Sequence, residues 1–362
     1  MKIILNLFTA LKKIFVGYVT PPCVGIDIAS TAIKMVELKR GSLTINRYKI
    51  ASLEKNAVSE GTINNIDVVS EIVRTEWESL NSDYRQVAIA IPYNSVIIKE
   101  IKAPLFKSRH QLDTFVFESL IKELDTEDID FDYTITSQTY EDQLLSVVVA
   151  RKEKIEEYQA IIQMTGMSVA AIDIEPFAIQ YLFTLLLKKS KMETPFIIFD
   201  IGTTRIRAYV LFQQSLVSFN EISVNYSSFL EEIITSDPNA LNLAKIDSVC
   251  DYVFEQTSAT KYNFKKLADA IIYDVAKLIQ LVKSNVLVER KMNLADDLDL
   301  YFIGGNALVP GVIENFKLNS PGKVFIGSEL LANSNPNLSQ IEIMRLFTAI
   351  ALATWGQNFD KN

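Results

Sequence analysis

The stretch Val24-Gly25-Ile26-Asp27-Ile28-Ala29-Ser30-Thr31-Ala32-Ile33-Lys34 returns in the second half of the chain as Ile197-Ile198-Phe199-Asp200-Ile201-Gly202-Thr203-Thr204-Arg205-Ile206-Arg207. Each copy reads as an apolar strand, an Asp, an apolar residue, a small residue, two hydroxyls, and a second strand carrying a basic residue. Alternation continues through Lys34–Leu38 and Arg207–Leu211, the pattern of a strand with one buried face. Each copy is therefore expected to be a β-hairpin with Asp at its turn. One such hairpin near the start of each half predicts two similar lobes.

Outward from the first hairpin, Ser42–Ile50 reads as a third strand, Val68–Leu80 as a helix and Gln86–Ile91 as a buried strand stopped by Pro92. Residues 92–173 then run strand, helix, strand, strand, helix, strand, which predicts a β-α-β-β-α-β module inserted into the first lobe. Glu175-Pro176 opens a helix, with proline at an early position where its missing N–H costs nothing. The first lobe is thus assigned to 23–91 and 174–192. The second takes 193–362, with a helical subdomain at about 223–295, the strand Leu300–Ile303 and the closing helix Met344–Trp355.

The two Asp-centred turns are the candidate site. Backbone N–H groups of such turns form concave anion cradles, and Ser30, Thr31, Thr203 and Thr204 add hydroxyl donors, with Gly202 at the second turn. Lys34 and Arg207 bring positive charge. Asp27 and Asp200 repel phosphate, so their natural partner is Mg²⁺, held through water between carboxylates and phosphates. The simpler alternative, that each Asp only stabilises its own turn, explains one copy better than two. Gly304-Gly305-Asn306, after a strand, lets backbone pass close to a flat base and ribose. No GxxxxGK[ST] and no strand-linked GxGxxG occur in the sequence, which disfavours a P-loop ATPase and a dinucleotide-dependent dehydrogenase.

A net charge of −8 gives no global attraction to nucleic acid. The single histidine, His110, and two distant cysteines, Cys23 and Cys250, offer neither a zinc-ligand spacing nor an evident triad. No apolar run reaches the roughly 18–20 residues that span a bilayer. Residues 1–22 form a separate segment. Ile3, Ile4, Leu7, Phe8, Leu11, Ile14 and Phe15 make a helical apolar stripe, with Lys2, Asn6, Lys12 and Lys13 elsewhere, cut off by Pro21-Pro22. That stripe has to bury against lipid, a partner or the protein itself.

The ordered set of Asp hairpin, Glu-Pro helix, second Asp hairpin and GGN…PG resembles the actin, heat-shock-chaperone and sugar-kinase superfamily. The fold this implies is α/β, an actin-like ATPase fold of two RNase H-like lobes with the inserted module in the first. Within it, Val24–Leu38, Ala90-Ile91-Pro92, Val147–Lys152, Ile172–Ala178 and Tyr301–Gly311 resemble the PilM family of type IV pilus assembly proteins, with the FtsA family next. The resemblance implies ATP or ADP with Mg²⁺ between the lobes. Asp27, Ser30, Thr31 and Lys34 would form the first phosphate turn and Asp200, Gly202, Thr203 and Thr204 the second. Gly304, Gly305 and Asn306 would form the adenosine turn, and Glu175 would place water and metal as the catalytic group. It further implies a scaffold at the inner face of the inner membrane. Its partners would be the cytoplasmic N-terminal tail of a PilN-like protein, other assembly-platform proteins and, through residues 1–20, the membrane surface. An FtsA-like filament protein or a small-molecule kinase are the alternatives. Ala29 stands where the family's first turn usually has glycine. If that turn takes positive φ, the methyl costs roughly 1 kcal/mol. Residues 223–260 also lack the glycine signal the family has there, so nucleotide binding with weak or no hydrolysis is expected.

Overall fold

The computed structural model describes residues 21–359 apart from 55, 60, 227 and 230–263. The amphipathic segment read in residues 1–20 lies outside the described residues, as does most of the helical subdomain expected at 223–295.

Strands β1 (Val24–Ile28), β2 (Ala32–Leu38) and β3 (Ile45–Ser52) are followed by a short hairpin of β4 (Val58–Ser59) and β5 (Thr62–Ile63), helix α1 (Ile66–Leu80) and strand β6 (Gln86–Ile91). The chain continues through β7 (Val96–Pro104), α2 (Arg109–Leu124), β8 (Ile129–Gln138), β9 (Asp142–Arg151), α3 (Lys152–Gln163), β10 (Ser168–Ile174) and α4 (Glu175–Leu186). The second half holds β11 (Phe196–Ile201), β12 (Arg205–Phe212), β13 (Ser215–Ser223), α5 (Lys265–Arg290), β14 (Asp299–Ile303), α6 (Val312–Asn319), β15 (Val324–Ile326), α7 (Gly327–Leu331) and α8 (Gln340–Ala353). Helix starts follow local chemistry. The Asn65 side chain caps α1, the Ser108 hydroxyl caps α2, and Ser339 with Glu342 forms a capping box on α8.

The repeat seen in the sequence is a repeat of topology. One five-stranded sheet has the order β10-β6-β1-β2-β3 and the other β15-β14-β11-β12-β13. In each, the hairpin and its third strand are antiparallel, and the two later strands add in parallel. Strand period sets the two faces. Ile197, Phe199 and Ile201 face outward, under α5, whose Leu267, Ile271, Val275, Leu278 and Val282 recur at helical spacing. Phe196 and Ile198 face inward. Val24 and Ile26 likewise pack outward with Val69 and Val73 of α1 and Tyr158 and Ile161 of α3. Between the sheets lie α4 and α8. Ile179, Leu182 and Phe183 join Leu346, Phe347 and Ile350 in one buried cluster with Val36, Ala88, Ile198, Tyr209 and Tyr301. Phe183 meets Tyr301 edge-on at 5.5 Å, and burying such a ring contributes roughly 1.5–3 kcal/mol. Gly25 makes the seat for α8. A Cβ there would collide with the backbone of Ala349, Leu352 and Ala353.

One expectation needs correction. Residues 92–173 do not form a single β-α-β-β-α-β module. Strand β10 pairs in parallel with β6 of the first sheet, and α3 packs into that lobe's outer core. What stands apart is the three-stranded sheet β7-β9-β8 with α2, around Leu112, Val116, Leu120, Tyr133, Leu145 and Val147. The physical reason is shared burial: Val169 and Ile172 of β10 pack into the same outer core as Val87 and Ile89 of β6.

Candidate functional site

The inward parity that places Phe196 and Ile198 between the lobes also directs Asp200 inward, and Gly25 stands in the same relation to Asp27. The hairpin turns therefore meet across an open cleft of about 770 Å³, including its solvent-filled mouth. All twelve expected residues line it: Asp27, Ser30, Thr31 and Lys34; Glu175; Asp200, Gly202, Thr203 and Thr204; and Gly304, Gly305 and Asn306. Four distant segments of sequence thus converge on one space.

The two turns are built alike. Ala29 N–H donates to the Ala32 carbonyl at 3.1 Å and Gly202 N–H to the Arg205 carbonyl at 2.9 Å. Neither Ala29 nor Gly202 has positive φ. The strain expected at Ala29 is therefore absent, because the turn keeps a backbone that an alanine adopts freely. The tips touch: Thr204 Oγ1 donates to Ser30 Oγ at 3.1 Å. Gly304, by contrast, does need glycine. Its φ is +83°, and a Cβ would come 2.5 Å from Asp200 Oδ1 and 2.7 Å from the Ile201 carbonyl. Asn306 is buried, with its amide donating to the Gly202 carbonyl at 3.0 Å. It braces the second Asp turn against the glycine turn.

Electrostatics concentrate on Arg207. Its Nη1 donates to Asp200 at 3.0 Å, its Nε to Glu221 at 3.0 Å, and its Nη2 lies 3.1 Å from Glu175. Burial works against the guanidinium charge, but Glu175, Asp200 and Glu221 outweigh it and raise the Arg207 pKa well above its ordinary value. Glu175 moves the other way. Burial pushes its carboxyl up to about 7; Arg207 opposes the rise, and Asp27, Asp200 and Glu221 add to it. In the first lobe Lys34 Nζ donates to Asp27 at 2.9 Å. Both acidic turn residues are thus paired with the basic residue opposite them in the hairpin register, Asp27 with Lys34 and Asp200 with Arg207.

A nucleotide fits this cleft. The paired turns and their hydroxyls are what a polyphosphate needs, and the absence of a side chain at Gly304 lets the glycine turn sit close against Asp200 and Ile201 at the cleft wall. The metal expected at Asp27 and Asp200 fits less well, since each carboxylate already accepts from a cation. Among the described residues no group of three or more His, Cys, Asp or Glu side chains is placed to hold a metal ion.

Sequence reading missed part of the site. Glu221 was not singled out, although it lies opposite Arg207 in the β12–β13 register; an Arg-x-Arg strand facing a Glu on the next strand was the available signal. Met344, Arg345, Phe347 and Thr348 of α8 line the cleft, where the apolar character of that helix suggested core alone. His110, expected at a helix start, is exposed in the first turn of α2.

Two matched sheets enclosing a cleft between paired Asp hairpins define an actin-like ATPase fold. The family model described as type IV pilus assembly protein PilM matches residues 25–236, more than half of the chain, and the chain belongs to that family. Among solved structures it is similar to the PilM-PilN type IV pilus biogenesis complex, at 17% identity over 94% of this chain and 99% of that one, with a TM-score of 0.70. It is also similar to the ethanolamine utilization protein EutJ from Carboxydothermus hydrogenoformans, at 14% identity over 92% and 89%, with a TM-score of 0.51.

Proposed function

We propose that this type IV pilus assembly protein is a nucleotide-binding scaffold on the cytoplasmic side of the inner membrane, which holds the N-terminal cytoplasmic tail of a PilN-like membrane protein. The observation that carries the nucleotide half is the convergence of twelve residues from four separate segments on one interlobe cleft. The partner half is supported by the family and by likeness to a chain solved in a PilM-PilN complex. The separate sheet β7-β9-β8 and the first lobe are the docking surface in this reading, with other platform proteins as further partners. No helix among the described residues is long and apolar enough to cross a membrane, so attachment runs through the partner or through residues 1–20. Glu175 is the carboxylate placed to orient a water, and its tie to Arg207 fits weak or absent turnover. The experiment is calorimetry of the purified chain with ATP, ADP and a synthetic peptide of the partner tail. Saturable binding of both nucleotide and peptide is expected. Absence of nucleotide binding up to millimolar concentration leaves a nucleotide-free scaffold.

A further inference from the structure

Three carboxylates from three elements surround one point beside the cleft: Glu175 at the start of α4 and Asp200 at the end of β11, which line it, and Glu221 on β13. At that point stands the guanidinium of Arg207, with each of its three nitrogens committed to a different carboxylate, at 3.1, 3.0 and 3.0 Å. The planar fork is held from three sides and has no competing orientation. Its side chain is 17% exposed, and those of Glu175 and Asp200 are 14% and 11% exposed, so solvent screens the cluster weakly. Lys34 performs the same pairing for Asp27 on the other lobe, at 2.9 Å.

A hydrated Mg²⁺ bound through these carboxylates needs their free oxygens and a near-octahedral set of oxygen donors. Here one oxygen of each carboxylate is already engaged by a cation, Asp200 Oδ2 and Glu175 Oε2 by Arg207 and Asp27 Oδ2 by Lys34. A dication brought to Asp200 meets a like charge fixed beside it. Displacing Arg207 to make room strands a charged guanidinium in a buried site, an arrangement proteins avoid. We propose that Arg207, seconded by Lys34, is a built-in substitute for the divalent cation, so that the cleft takes ATP or ADP as the metal-free anion. This rests on the nucleotide-binding reading above and adds to it which form of the nucleotide is bound. It assigns Arg207 as the residue that determines metal specificity, through its hold on Asp200 and Glu175.

The test uses the full chain and needs no variant at first. Calorimetric affinities for ATP and ADP are measured once in excess EDTA and once in excess Mg²⁺. An affinity in EDTA equal to or higher than that in Mg²⁺ is expected. An affinity that rises with Mg²⁺ overturns the inference while leaving nucleotide binding intact, whereas binding in neither condition removes the nucleotide reading itself and the inference with it. Arg207→Met then supplies the positive control. With Asp200 and Glu175 released, the variant is expected to bind Mg-ATP at least about tenfold more tightly than ATP in EDTA. A folded variant with no preference for Mg²⁺ shows that Arg207 is not what excludes the metal and sinks the assignment. If the variant does not fold, the comparison on the unaltered chain still decides.

Discussion

Glu175 is a carboxylate whose charge the folded chain resists. Its pKa lies near 7 against an ordinary 4.5, mainly through burial. Between those two values the folded chain keeps a proton that the unfolded chain has released. Stability is therefore fully present below about 4.5 and is lost as pH rises through about 7. Asp173, pushed up to about 6 by burial against the hydrogen bonds from Trp355 and Ile174, acts with the same sign. The melting temperature of the protein is expected to fall from about pH 5 to about pH 8. Glu175→Gln, which keeps the shape and cannot ionise, is expected to flatten the upper part of that fall. An unchanged profile in the variant means that Arg207 keeps Glu175 ionised throughout. What residue-level reading of the sequence reached here was position, not pairing. Asp27, Asp200 and Glu175 were legible because a repeated turn and a Glu-Pro helix start leave a linear mark. Arg207 was legible only as a charge, because its three partners become neighbours through strand pairing and helix docking. Ala29 shows the opposite limit. A missing glycine suggests strain only where φ is positive, and this turn's φ is not.

Elements were legible where one face is buried and the other is not. The β1–β2 and β11–β12 hairpins, with periods of two and a shared turn, revealed the lobe repeat before any contact was known. The inserted module was misjudged for a reason of the same kind: β10 and β7 both read as strands, and local pattern does not say which sheet each joins. Burial against β6 decides it. The closing helix α8 depends on one small residue of a distant element, since it lies on β1 where Gly25 offers no side chain. Gly25→Ala places a methyl against the backbone of Ala349, Leu352 and Ala353 in the last turn of α8, and the backbone of a buried helix yields less readily than a side chain. A loss of roughly 2 kcal/mol or more is expected by urea denaturation, within the range for overpacked cores and toward its upper end. Because Met344, Arg345, Phe347 and Thr348 on that helix line the cleft, nucleotide affinity is expected to fall with it. A variant as stable as the parent would falsify the close seating of α8 on β1.

At the scale of the whole molecule, the lobes are joined by shared core and by a few polar contacts that cross between them. The Arg207–Glu175 pair links β12 to α4, the Thr204–Ser30 hydrogen bond links the two turn tips, and the Trp355 indole donates to Asp173 at 2.9 Å, tying the end of α8 to β10. No linear pattern encodes these three contacts or the angle they set between the lobes, so that angle was beyond sequence reading. A polyphosphate seated between the turns takes over the hydroxyls of Ser30 and Thr204 and replaces their mutual hydrogen bond with bonds to itself. The relative setting of the lobes is then expected to differ between the free and bound forms. The β7-β9-β8 sheet moves with the first lobe, because its strands run directly into β6 and α3. A peptide that rests on this sheet and also reaches the second lobe is sensitive to that setting, and linkage makes the effect reciprocal. Saturating nucleotide is expected to change the affinity for the partner tail by about tenfold, within the roughly 1–3 kcal/mol typical of coupled sites, and saturating peptide to change nucleotide affinity by the same factor. Thr204→Val, which removes the hydroxyl that bridges the tips, is expected to shrink the coupling while leaving peptide affinity in the absence of nucleotide nearly unchanged. Calorimetric titration of each ligand with and without the other measures all four affinities. Two ligands that bind independently would show that the cleft and the peptide surface do not communicate through the lobe angle, whatever each binds on its own.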